Sequence, residues 1–258
     1  CSSDLFDRLA GNWDIDDSPT SVWVDLLSQV VSPYQTNPLN LSPLRDLLTG
    51  LIDFEALRKG EDMRFFVCAT QVSTGKVRVF ERKEMTVDML LASAALPTVF
   101  QAAVIDGEAY WDGGYMGNPA LFPLIYNCDS PDIVIVQINP LTRKEVPKTA
   151  SEIMNRLNEI TFNASLMREM RAIAFVLKLL DELPGDLPVI SGLKRMHVHM
   201  IEDEHAMESL GVSSKLNTDL DFLLHLKKLG QETAERWLGR NFDSIGERST
   251  VDIRQKFL

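Results

Sequence analysis

Residues 132–138 read Asp-Ile-Val-Ile-Val-Gln-Ile, an apolar and β-branched run without polar alternation. A half-exposed strand alternates polar and apolar side chains. An uninterrupted run suits a central parallel strand covered on both faces. Its surroundings agree. A long amphipathic pattern covers about 151–180 and is broken at Leu183-Pro184-Gly185. Residues 193–201 (LKRMHVHMI) form another strand, and about 217–238 is again helical. Strands separated by helices, one of them wholly apolar, predict an α/β fold with an open, mostly parallel sheet sandwiched by helices.

The upstream half is punctuated more finely. Residues 21–31 (SVWVDLLSQVV) carry apolar positions at helical spacing after a helix start at Ser18-Pro19-Thr20. Residues 32–40 are a Pro- and Asn-rich loop. Ser42 can cap a helix with Pro43 at its first position, running through Leu44–Leu51, and Asp53 opens a shorter one over Phe54–Arg58. Residues 63–72 predict a buried strand, Thr74-Gly75 a turn, and 76–82 a half-exposed partner strand. A helix beginning at Thr86 or Asp88 should run to Leu96 and stop at Pro97. Residues 103–111 predict a hairpin around Asp106-Gly107, followed by a short helix over Pro119–Asn127.

Length and charge bound the function classes. A chain of 258 residues with 45% hydrophobic content fits one large α/β domain, or at most two small ones. Its net charge of −11, with no basic run, argues against nucleic acid as a partner. It also gives no general attraction to anionic membranes, so any lipid contact has to be local and apolar. Cys1, Cys68 and Cys128 have neither metal spacing nor a disulfide framework and read as unpaired thiols, Cys68 and Cys128 buried. No run is long enough to span a membrane. Residues 1–5, Cys-Ser-Ser-Asp-Leu, match the in-frame translation of the sequencing-adapter tail TGCTCTTCCGATCT. They are expected to be non-native and are set aside.

One segment carries chemistry. Asp112-Gly113-Gly114 closes the predicted hairpin and is followed by Tyr115-Met116-Gly117-Asn118-Pro119. Paired glycines let the backbone turn and leave space beside the carboxylate. The plain alternative is a turn in which the aspartate bonds its own backbone.

The wider context resembles the second half of a patatin-like phospholipase domain, of bacterial type. Ser93-Ala94-Ala95-Leu96-Pro97, Asp112-Gly113-Gly114 and Gly117-Asn118-Pro119 stand in that family's order and at compatible spacing. Ala69-Thr70 with Thr74-Gly75 fits its upstream strand and turn, and Ser249-Thr250-Val251-Asp252 resembles its tail. The resemblance implies a three-layer α/β/α fold and a lipid acyl hydrolase with a serine–aspartate dyad. Asp112 would be the proton acceptor, Gly113 and Gly114 would form the turn, and Asn118 would shape the turn beside the aspartate. It implies no cofactor, no metal and a lipid or membrane ester substrate. The family's serine lies in Gly-x-Ser-x-Gly on a strained strand-to-helix turn, and a glycine-rich loop supplies oxyanion donors.

Neither part occurs in these 258 residues. Gln71-Val72-Ser73-Thr74-Gly75 lacks the first glycine and falls in a hairpin turn, and Ser93 starts no elbow. Residues 6–258 are therefore expected to be the C-terminal part of a single patatin-like domain with a helical extension, inactive alone. The absent upstream strands would leave open sheet edges and uncovered apolar faces. The expected location is cytoplasmic or membrane-associated in a bacterium, with any signal peptide beyond view.

Other residues have plainer readings. His197 and His199 share a strand face near Glu202 and His205, and read as structural or surface histidines rather than metal ligands. Trp23, Phe65, Phe66 and Phe100 read as core. Met154, Leu157, Met167 and Met170 read as a core stripe, with a flexible acyl-chain wall as the alternative. Competing functions are a serine esterase for neutral lipid or polyester, and an inactive patatin-like binding or regulatory module.

Overall fold

The computed structural model describes residues 31–184, 192–208, 210, 214 and 217–258. The helix expected over 21–31, Trp23 and the segment 1–5 lie outside them. The described residues form two compact units, one from residues 31–129 plus Ala164–Glu169, the other from Ser130–Asn163 and the described part of 170–258.

In the first unit, α1 (Pro33–Thr36), α2 (Pro43–Leu51) and α3 (Phe54–Lys59) precede a four-stranded sheet. Capping follows the sequence: Ser42 accepts from the Arg45 N–H and Asp53 from the Ala56 N–H, each such cap contributing about 1 kcal/mol. The strands are β1 (Phe66–Gln71), β2 (Val77–Glu81), β3 (Ala103–Ile105) and β4 (Glu108–Asp112), in the order β2-β1-β4-β3. All three ladders are antiparallel. Two of them follow from their connections, because turns as short as those at 72–76 and 106–107 can only join antiparallel neighbours. Asp106 and Gly107 both take positive φ, at 52° and 82°, as a two-residue hairpin turn requires.

Helix α4 (Val87–Ser93) starts at a Thr86 cap, whose side chain accepts the Met89 N–H, and stops short of the expected Leu96. It packs its buried Met89 and Ala92 into a core with Ala69, Phe80, Met85, Ile105 and Tyr110. Phe80 and Tyr110 meet edge-on with ring centres 5.8 Å apart, and Arg78 lies over Phe80. Helix α5 (Phe122–Asn127) begins later than the expected Pro119.

In the second unit, β5 (Asp132–Gln137) pairs in parallel with β6 (His197–Glu202), Asp132 opposite His197 through Gln137 opposite Glu202. Helix α6 (Ala150–Glu182) opens with a Thr149–Glu152 capping box; its residues 164–169 group with the first unit. Helices α7 (Glu204–Glu208), α8 (Leu220–Asn241) and α9 (Ile253–Phe257) complete the unit.

The mixed α/β class holds, but the described sheets are less parallel than expected, with parallel pairing confined to β5–β6. Strand β5 also departs from full coverage. Ile133 and Ile135 are buried, whereas Val134 and Val136 are 44% and 69% exposed. A run without alternation looks two-sided in sequence, but no described element covers its second face. Phe100 is exposed rather than core, and Phe65 and Phe66 are half-buried. Of the proposed stripe on α6, Met170 is buried and Met167 half-buried, but Met154 and Leu157 are exposed. The apolar positions of this 33-residue helix do not form one continuous stripe.

Candidate active site

Asp112 is the last residue of β4 and is held from two sides. It stands opposite Ala69 of β1, and its carbonyl accepts the Thr70 hydroxyl at 2.8 Å. Its own N–H donates to the carbonyl of Ala95, just beyond α4, at 3.0 Å. The carboxylate Oδ1 accepts the Gly114 N–H at 2.7 Å, which fixes its orientation at the corner. Gly113 passes so close to β1 that a Cβ there would sit 2.1 Å from the Cys68 carbonyl oxygen. Only glycine allows the turn to leave the strand at this point. The Gly113 carbonyl then accepts the N–H groups of Met116 and Gly117 at 3.0 and 2.8 Å, completing a short 3₁₀ turn over Gly113–Tyr115.

The segment after the turn is tied down by α6. The Asn118 N–H donates to Ser165 Oγ at 2.8 Å, and the Leu121 N–H to Glu169 Oε1 at 3.2 Å. Burial pushes the Glu169 carboxyl above its usual range, against the Leu121 and Phe122 N–H groups and Arg168. Burial also pushes the Cys68 thiol up to about 11, and the Glu169 charge adds to this. The Tyr115 hydroxyl is raised by burial and then by the charge of Asp112, so Tyr115 senses the candidate carboxylate electrostatically.

Residues 19–125, which contain all of the Asp112 turn, match the family model of the patatin-like phospholipases. The chain carries a patatin-like phospholipase segment. No curated protein matches the chain. The patatin-like match points to an esterase- or lipase-type hydrolase.

Within the patatin-like segment, neither alternative serine sits in an elbow. Ser73 lies in the β1–β2 turn and donates to Glu108 Oε2 at 3.2 Å. Ser93, in the last turn of α4, donates to the Leu90 carbonyl at 2.7 Å. Asn118 follows the turn, and its backbone N–H is the group that meets Ser165. Local sequence gives no signal for Ser165, Glu169 or the electrostatic coupling of Tyr115. The first two lie on a helix some fifty residues downstream, and nothing local in α6 marks the turn that meets Asn118 and Leu121.

Outside the patatin-like segment, His199 is fully buried. Its Nε2 lies 3.0 Å from Asp132 Oδ1 and its Nδ1 lies 3.1 Å from Thr250 Oγ1. Its ring meets Trp237 edge-on. His197 Nδ1 lies 3.4 Å from the same Asp132 oxygen. The two histidines converge on Asp132, His199 at hydrogen-bond distance and His197 with no hydrogen bond at its Nδ1. Among the described residues no group of His, Cys, Asp and Glu could hold a metal ion. The second unit also contains a cavity of about 300 Å³ whose walls include Val136, Ile138, Ile201, Met207, Phe222 and Leu226. None of Met154, Leu157, Met167 or Met170 lines it, so it is not the wall suggested by the methionine spacing. No described helix is long and apolar enough to cross a membrane.

Proposed function

We propose that this chain is the aspartate-bearing part of a lipid acyl hydrolase that cleaves carboxylic esters through a Ser–Asp dyad. The supporting observation is Asp112: it ends a pinned strand inside the patatin-like match, with its carboxylate oriented by the Gly114 N–H. These 258 residues contain no Gly-x-Ser-x-Gly, so the serine is supplied by residues outside them. In the reaction, Asp112 takes the serine proton as the hydroxyl oxygen attacks the ester carbonyl. The proton passes to the leaving alcohol as the carbon–oxygen bond breaks, leaving an acyl-serine that water hydrolyses. Asp112 does the work of a base without an intervening histidine, a reduced form of triad logic.

The test is fatty-acid release from phosphatidylcholine and from a soluble short-chain ester, by a longer protein that includes the upstream coding sequence. Asp112→Asn should abolish turnover of both while thermal unfolding stays unchanged, and the 258-residue chain alone should release nothing. An Asp112→Asn protein with near-normal rate ends the dyad assignment. Serine-reagent-sensitive hydrolysis by the 258-residue chain ends the assignment of the nucleophile to residues outside it. Activity confined to neutral glycerides or polyesters would favour the alternative esterase. A substituted serine upstream would favour an inactive binding module.

A further inference from the structure

The direction of the Asp112 carboxylate depends on a turn whose far end is held by another helix. Strand contacts fix the Asp112 backbone: its carbonyl accepts the Thr70 hydroxyl, and its N–H reaches the Ala95 carbonyl. The carboxylate is oriented by the Gly114 N–H, and Gly114 lies inside the 3₁₀ turn, beyond those strand contacts. That turn closes through the Gly113 carbonyl, which accepts the Met116 and Gly117 N–H groups. Immediately afterwards the chain meets α6. There the Asn118 N–H donates to Ser165 Oγ at 2.8 Å and the Leu121 N–H to Glu169 Oε1 at 3.2 Å.

Ser165 and Glu169 stand at i and i+4, so they share one side of α6. Ser165 is buried, and the neighbouring Leu166 and Met170 are fully buried, which seats this stretch of the helix in close-packed surroundings. Helix α5 has no side-chain cap of its own at Leu121. Glu169 supplies the missing acceptor from a distance, to the N–H groups of Leu121 and Phe122. Burial works against the Glu169 charge, so the carboxyl is kept there against desolvation, where its oxygens have backbone donors to accept. Cys68 of β1, whose carbonyl crosses Gly113, feels the same charge. Glu169 therefore lies beside the strand that the turn leaves as well as beside the chain that follows it.

We propose that Ser165 and Glu169 are positioning residues for Asp112: by clamping the chain from Asn118 to Leu121 onto α6, they hold the Gly114 N–H where it aims the carboxylate at the serine hydroxyl. This rests on the dyad reading above. Both residues act through the turn and not on the substrate. Loss of the clamp loosens the far end of the turn. Met116 and Gly117 are then held less firmly against the Gly113 carbonyl, the Gly114 N–H shifts, and the carboxylate loses its fixed direction. Asp112 stays on β4, because its contacts with Thr70 and Ala95 do not involve α6. The consequence is misaim rather than unfolding, and a displacement of roughly 1 Å at a reacting group can cost about 100-fold in rate.

The test has two arms. In the isotope-labelled 258-residue chain, amide hydrogen exchange is followed by NMR for Ser165→Ala, Glu169→Gln and, as a core control on the same helix, Leu166→Val. Ser165→Ala should speed exchange at Gly114, Met116 and Gly117 by about 5- to 10-fold, the factor for one ordinary hydrogen bond, while the amides paired between β1 and β2 keep wild-type rates. Glu169→Gln, which keeps an acceptor oxygen but drops the charge, should give a smaller rise at the same amides. Leu166→Val should give no selective rise there. In the second arm, the longer protein of the preceding test hydrolyses the soluble ester. Its kcat should fall by about 10- to 100-fold in Ser165→Ala and Glu169→Ala with KM unchanged, Glu169→Gln should recover most of the Glu169→Ala loss, and Leu166→Val should match the wild type. Should Ser165→Ala fail to fold, the two Glu169 variants carry both arms. Wild-type exchange at Gly114 in the clamp variants, a rise spread evenly over the β1–β2 ladder, or a kcat loss that Leu166→Val shares would each overturn the proposal. The first arm needs no turnover, so failure of the clamp shows in Gly114 exchange and failure of the dyad in near-normal turnover by Asp112→Asn.

Discussion

Gly113→Ala separates a strand-crossing glycine from an ordinary turn glycine. The added methyl would lie 2.1 Å from the Cys68 carbonyl oxygen and 2.6 Å from its carbon. Both are backbone atoms of β1, so no side chain can swing away. Ordinary contact begins near 3.4 Å, and the two strands must part by roughly 1 Å, an overpacking cost of about 1–3 kcal/mol. The parting falls where Ala69 faces Asp112 and where the Thr70 hydroxyl reaches the Asp112 carbonyl, adding about 1 kcal/mol for a weakened hydrogen bond. A total of about 3 kcal/mol lowers the melting temperature of a chain this size by about 6–12 °C. Circular dichroism melts would measure it against two controls. Gly117→Ala meets the Ala120 Cβ at 2.9 Å, a Val77 methyl at 3.4 Å and the Ala120 backbone N at 3.5 Å, and should cost about 1 kcal/mol. Gly50→Ala, inside α2 with nothing within 4 Å, should raise stability by up to about 1 kcal/mol. If Gly113→Ala melted with the wild type, or Gly50→Ala fell as far, the close approach of the turn to β1 would be wrong.

The second unit offers three more tests. His199→Phe removes both partners of a fully buried ring and deprives Asp132 of one imidazole; urea titration should show a loss of about 2–4 kcal/mol. Asp132 is held below its usual range because the Gly246 N–H, His199 and His197 outweigh burial, so this contribution is present above its ordinary value and lost as pH falls through the depressed one. Glu159 is likewise held low: burial opposes its charge, but Arg143 and Arg156 outweigh it, at 2.5 and 3.0 Å. Glu159→Gln should cost about 2–4 kcal/mol at pH 7 and flatten the stability loss that the wild type shows as pH falls below 4.5, the ordinary value. In the first unit, Cys68, with a thiol pushed up to about 11, should react with iodoacetamide more slowly at pH 8 than a free thiol, with a rate still climbing toward pH 11 in peptide mass spectra.

What could be read in the sequence was whatever local chemistry dictates. Ser42, Asp53 and Thr86 cap the helices they precede, because a cap is decided within four residues. Asp106-Gly107 makes its turn for the same reason. Asp112-Gly113-Gly114 was legible through order and spacing rather than physics, since an isolated Asp-Gly-Gly is only a turn. The unread parts depend on partners far along the chain. Whether Val134 and Val136 are covered is decided by which elements reach β5, and the pattern of β5 alone carries no record of that. Glu169 and Ser165 meet the chain after the Asp112 turn from α6.

The Asp112 turn itself contains an ambiguity that a well-chosen substitution removes. Oδ1 accepting the Gly114 N–H is what a purely structural turn aspartate would do, and it is also what would hold a catalytic carboxylate in position. Asparagine keeps an oxygen at the same place and can accept the same N–H, but carries no charge and cannot take a serine proton at neutral pH. Alanine loses both. In the 258-residue chain, Asp112→Asn should therefore melt within about 0.5 kcal/mol of the wild type, whereas Asp112→Ala should lose about 1 kcal/mol with the turn bond. In the longer protein, both should be equally inactive. Equal activity loss with unequal stability loss is the signature of a carboxylate needed for proton transfer. If activity instead tracked stability, with Asp112→Asn active and only Asp112→Ala impaired, the aspartate would be a turn residue and nothing more.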